Sequence, residues 1–89
     1  MPKIMASFQV KDWETWASAF DGHSDAREKA NINTIYYGHE LEDKNKVHII
    51  MDVPSVETLQ NFMMQPENQQ LIEESGHMQE TMQMVVCSD

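Results

Sequence analysis

Apolar and polar residues alternate with period two over KIMASFQV, residues 3–10, which puts Ile4, Ala6, Phe8 and Val10 on one face, as in a strand. Lys11 and Asp12 break that alternation. The spacing then lengthens to helical intervals, and Trp13, Trp16, Phe20, His23 and Arg27 form one stripe. With Asp12 as N-cap and Glu14 favoured in the first turn, the stripe predicts a helix from Trp13 to about Lys29, bent near Gly22. Period two returns in NTIYYGHEL, residues 33–41. Its alternation sets Ile35, Tyr37, His39 and Leu41 against Thr34, Tyr36, Gly38 and Glu40. The charged EDKNK reads as a hairpin loop before KVHIIMDV, residues 46–53, the most hydrophobic strand, with Val47, Ile49, Met51 and Val53 on one side. Pro54 stops it, and Ser55 caps a helix through VETLQNFMM. After Pro66, ENQQLIEES adds a further turn or two of helix ending at Gly76, and QETMQMVVC, residues 79–87, supplies the last strand.

The order is β-α-β-β-α-β in a single domain, residues 1–89. Right-handed crossovers place both helical segments on the same side of the sheet. The expected fold is therefore α+β and ferredoxin-like, a four-stranded antiparallel sheet with helices on one face. Met5, Ile50 and Val85, beside Ser, Gln, His and Asp residues, or else the more apolar alternate set, must fall on the bare face. An open, partly apolar surface of that kind predicts a homodimer joined through the sheet faces.

Composition narrows the partners. A chain of 89 residues buries only about 60–65% of its unfolded surface when it folds alone, so burial against a second copy helps. Six basic and fifteen acidic side chains give a net charge of −9, which repels phosphate backbones and anionic lipid surfaces. Nucleic acid and membrane are not expected partners. No basic leader opens the chain and no apolar run is long enough to span a bilayer, so the expected location is the cytoplasm. A single cysteine, Cys87, rules out an internal disulfide and a Cys-based metal cluster. Glycine-rich phosphate loops, nucleotide fingerprints and a Ser-His-Asp arrangement are absent from the sequence.

Three stretches carry a family likeness: KDWETWASAFDGHSDAREKAN with its W-x-x-x-F-x-x-H-x-x-x-R spacing, the hairpin YYGHELEDKNKVHIIMDVPSVE, and NFMMQPENQQLIEESG. On these the chain resembles the dimeric α/β-barrel superfamily, and within it small uncharacterised proteins similar to the antibiotic-biosynthesis monooxygenases. The resemblance implies a dimeric barrel and a ligand site between the helices and the sheet of each protomer. It implies no single activity, because members include monooxygenases without cofactor, isomerases, haem-binding enzymes and proteins of no known role.

The candidate chemistry centres on His23 and Arg27, one turn apart where the stripe becomes polar. In one reading they converge on a cavity, His23 as general base and Arg27 holding an anionic or enolate oxygen, with Trp16, Tyr37 and methionines as walls. That reading predicts a closed-off cavity of about 300 Å³ or more beside His23 for a small apolar or aromatic ligand. In the other, the helix simply leaves the core there, His23 is bonded to backbone or Asp52, and Arg27 lies along apolar surface. The dimer is then a non-catalytic binding or assembly unit.

His39 and His48 are further candidate binding residues on neighbouring strands. With His23 they match no familiar ligand spacing, so neither metal nor cofactor is expected. Haem, as in some relatives, would need an exposed histidine in a wide apolar slot. His77 follows Gly76 and reads as a solvated loop residue. Most of the eight methionines read as packing.

Overall fold

A computed structural model describes residues 1–88. The elements are β1 (Lys3–Val10), α1 (Trp13–Gly22), α2 (Ser24–Lys29), β2 (Asn33–His39), β3 (Lys46–Asp52), α3 (Val56–Met64), α4 (Pro66–Glu74) and β4 (His77–Cys87). The strands form one sheet in the order β2-β3-β1-β4, and every neighbouring pair is antiparallel. This is the ferredoxin-like α+β arrangement, with each crossover divided into two short helices. No helix is long and apolar enough to cross a membrane among the described residues.

Local chemistry accounts for the helix ends. Asp12 accepts from the Thr15 amide at 2.9 Å and Ser55 from the Thr58 amide at 3.0 Å, so both caps satisfy amides that the first turn leaves free. The long first helix expected from the stripe is broken at His23, whose backbone leaves the helical region at φ −107° and ψ 17°. Pro66 opens α4 after Gln65 has turned to extended geometry. Gly76 ends that segment at φ 85°, a left-handed conformation that an L side chain rarely adopts.

The core lies between the helices and one sheet face. Ile4, Ala6, Phe8 and Val10 on β1 and Val47, Ile49 and Met51 on β3 are buried there with Trp16 and Leu59. Two irregularities alter the alternation read from the edge strands. In β2, the pairings Thr34↔Met51 and Tyr36↔Ile50 leave Ile35 as an extra residue, 53% exposed. Tyr37 and His39 consequently share the helix face with Thr34 and not with Ile35. In β4, five residue steps from Met78 to Gln83 match two from Gln9 to Ser7. Thr81 holds this bulge, accepting from the Gln9 amide at 2.8 Å and donating to the Met78 carbonyl at 2.6 Å.

The β4 bulge reverses the parity upstream of it. His77 pairs with Val10 and turns toward the helices, and the strand begins two residues earlier than the alternation indicates. On the opposite sheet face the register aligns Tyr36, Ile50, Met5 and Val85 as one row crossing all four strands. Tyr36, Met5 and Val85 in that row are exposed.

Candidate functional site

Between helices and sheet lies a cavity of about 120 Å³. Its sheet side is formed by Ala6, Phe8, Ile49, Met51, Met82 and Met84. Ala6 pairs with Ile49 on one side and Met84 on the other, and its short side chain leaves the sheet low at that point. Trp16 and Phe20 from α1 and Phe62 and Met63 from α3 close the other side. The volume falls well short of the 300 Å³ expected, because the aromatic rings fill the space between α1 and β2. Trp16 stacks on Phe20 at 4.9 Å, and both rings meet Tyr37, at 5.7 and 4.9 Å.

Three of the candidate residues line this cavity: Trp16, His23 and Arg27. The other three stand outside it. Tyr37 packs behind Trp16 and Phe20, and its hydroxyl donates to the Asp21 carboxylate, which holds the phenolic proton and raises its pKa. His39 lies edge-on to Trp13 at 4.8 Å, at the far end of β2. His48 pairs with Gly38 on the outer sheet face and contacts Glu40 at 2.6 Å. His39 and His48 therefore point to opposite sides of the sheet and cannot join His23 in one ligand set.

The polar groups around the cavity can be accounted for one by one. Asn68 is buried, and its amide nitrogen donates to the Phe62 carbonyl at 2.7 Å and to Gln65 Oε1 at 3.3 Å. Its Oδ1 must then face His23 Nε2, 2.6 Å away, as an acceptor. This fixes the proton of a neutral His23 on Nε2 and leaves Nδ1 as the basic nitrogen. The partner anticipated for His23 was Asp52 or backbone; it is Asn68, from the other crossover. Arg27 donates from Nη1 to the Phe20 carbonyl at 2.8 Å and stacks its guanidinium 3.6 Å from the Phe20 ring centre. Burial lowers its pKa, with Asp21 and Tyr37 acting in the opposite direction. Its charge sits against the last carbonyls of α1, where the helix dipole favours a cation. Ser75, also in the wall, donates to the Ile72 carbonyl at 2.6 Å.

His77 is the residue the sequence concealed. It is among the residues that line the cavity, its ring stacks on Phe8 at 3.9 Å, and its Nε2 is buried with no hydrogen-bond partner. The one signal in its favour was adjacency to Gly76, which ends α4 and brings the next residue straight into the sheet. Burial holds its pKa down to about 4 from the ordinary 6.5, with Glu80 opposing. The unfolded chain takes up a proton near pH 6.5 that the native state resists until about pH 4, so stability is lost as pH falls through that window.

The urea midpoint is expected to decline from pH 6.5 to 4, and His77→Phe to flatten the decline. The slope has a ceiling of about 1.4 kcal/mol per pH unit, reduced by the solvent that reaches the ring. Equal slopes in the two proteins would show that the imidazole is solvated.

Comparison with known proteins bears on the architecture. A candidate antibiotic biosynthesis monooxygenase from Bordetella bronchiseptica superimposes with a TM-score of 0.77 at 12% identity, over 99% of this chain and 95% of that one. SnoaB, a cofactor-independent oxygenase from Streptomyces nogalater, gives 0.69 at 11% identity over 99% and 91%. An uncharacterised NIPSNAP-like domain protein from Burkholderia xenovorans gives 0.69 at 13% identity over 99% and 84%. Identities this low establish a shared fold. No curated protein matches the chain in sequence. The model of one family, described as a domain of unknown function, DUF3764, matches residues 4–89, nearly the whole length, and the protein belongs to that family.

Proposed function

We propose that this protein is a homodimer in which each protomer binds a small apolar or aromatic molecule between its helices and its sheet. The observation that carries this reading is the cavity beneath Trp16, Phe20 and Phe62, walled almost wholly by apolar groups. An apolar, partly enclosed pocket of that kind strengthens a hydrogen bond made inside it and suits either storage of a ligand or proton transfer on one. Cofactor-independent oxygenase or isomerase chemistry is the activity this arrangement would serve, with His23 Nδ1 as base and the unused N–H groups of Arg27 as donors to a developing oxyanion. The row Tyr36, Ile50, Met5 and Val85 supports pairing of two sheets face to face.

A second reading, a binding or assembly protein without catalysis, draws on a specific feature. His23 is bonded to Asn68 and Arg27 to the Phe20 carbonyl, so both serve the protein's own structure.

Methionine-methyl NMR tests the ligand site on which the first reading rests. Addition of toluene is expected to shift the methyl signals of Met51, Met63, Met82 and Met84, which line the cavity, and to leave exposed Met1 and Met64 unmoved. Unchanged cavity methyls would remove the ligand-binding reading and leave the assembly alone as the functional unit.

A further inference from the structure

We infer that the cavity selects a neutral molecule about the size of a single ring, carrying one hydroxyl or comparable hydrogen-bonding group, and that His77 is the residue that recognises it. The inference rests on the ligand-binding reading above and deepens it.

Size is the first argument. An apolar cavity of about 150 Å³ accommodates benzene. The present cavity, about 120 Å³, open on one side and flanked by four flexible methionines, has room inside for one ring.

Polarity is the second. Among the described residues four polar side chains reach the wall, and three of them hold protein partners through one atom each: His23 Nε2 with Asn68, Arg27 Nη1 with the Phe20 carbonyl, Ser75 with the Ile72 carbonyl. Among the described residues, His77 is the histidine with a buried ring nitrogen that lacks a partner. Leaving such a group unpaired is unfavourable, and a ligand that reaches it recovers the deficit. A hydroxyl suits this position because it donates to the imidazole in one tautomer and accepts from it in the other.

Charge is the third. Arg27 is offset by Asp21 and by the C-terminal carbonyls of α1, and the chain as a whole carries −9, so an anion finds no unbalanced positive group to enter for. Burial keeps the His77 ring neutral over the physiological range.

The test compares phenol, toluene and benzoate by calorimetry on the wild-type protein and on His77→Phe, which preserves a ring against Phe8. Wild type is expected to bind phenol about tenfold more tightly than toluene, roughly the contribution of one recovered hydrogen bond. Benzoate is expected to bind weakest of the three, and His77→Phe to bind phenol and toluene alike. Nitrogen-15 NMR of the wild-type imidazole gives a readout that needs no variant: phenol should shift a His77 ring nitrogen and toluene should not.

A phenol preference that survives in His77→Phe, a His77 signal indifferent to phenol, or benzoate binding best overturns the inference while leaving the cavity reading intact. Binding of none of the three overturns the cavity reading, and this inference with it.

Discussion

Trp16→Ala is expected to lower the unfolding free energy by about 3–5 kcal/mol, the range for truncating a buried aromatic side chain. Trp16 is 4% exposed, and its ring meets Phe8, Trp13, Phe20 and Tyr37 at centroid distances of 4.9–5.7 Å. It is therefore the common neighbour of α1, β1 and β2. Domains of this size have a total stability of about 5–15 kcal/mol, so the variant should be partly unfolded at 37 °C. Urea titration followed by far-UV circular dichroism measures the effect. A loss below about 1 kcal/mol would mean that the aromatic cluster packs loosely and that the cavity beside it is not a defined chamber.

Ile50→Arg should have the second large effect, on association and not on the fold. Ile50 is the inner member of the row Tyr36, Ile50, Met5 and Val85, on a sheet face that no helix covers. In a two-fold interface each substitution is present twice, and an unpaired guanidinium buried against an apolar surface costs about 3 kcal/mol or more. The dimer dissociation constant is expected to rise by more than about 100-fold. Sedimentation equilibrium should show twice the chain mass for the wild type and the chain mass for the variant, with unchanged circular dichroism. Wild-type protein sedimenting at the chain mass throughout the micromolar range would dispose of the homodimer.

The central strands and the helix starts were legible because each depends on neighbours in sequence. Alternation identified the buried faces of β1 and β3 residue by residue, and Asp12 and Ser55 cap the helices they precede. Gly22 indicated the break that falls at His23. Edge strands were less legible, since the extra residues at Ile35 and in Gln79–Met82 are set by pairing with a distant strand. That is why Tyr37 and His39 changed company and His77 moved from loop to strand. Asn68 was hidden for a related reason. In a run of Gln, Glu and Asn it looks solvated, and only the approach of the two crossovers buries it against His23.

Asn68 joins two breaks at once. The side chain that takes up the Phe62 carbonyl near the end of α3 also holds the imidazole standing at the α1–α2 corner. Arg27 does similar duty for α1 by binding the carbonyl of Phe20. Interrupted helices expose carbonyl oxygens, and here the most chemically conspicuous side chains are consumed in quieting them. Much of the polarity that would suggest a reactive centre is also joinery within and between the two crossovers.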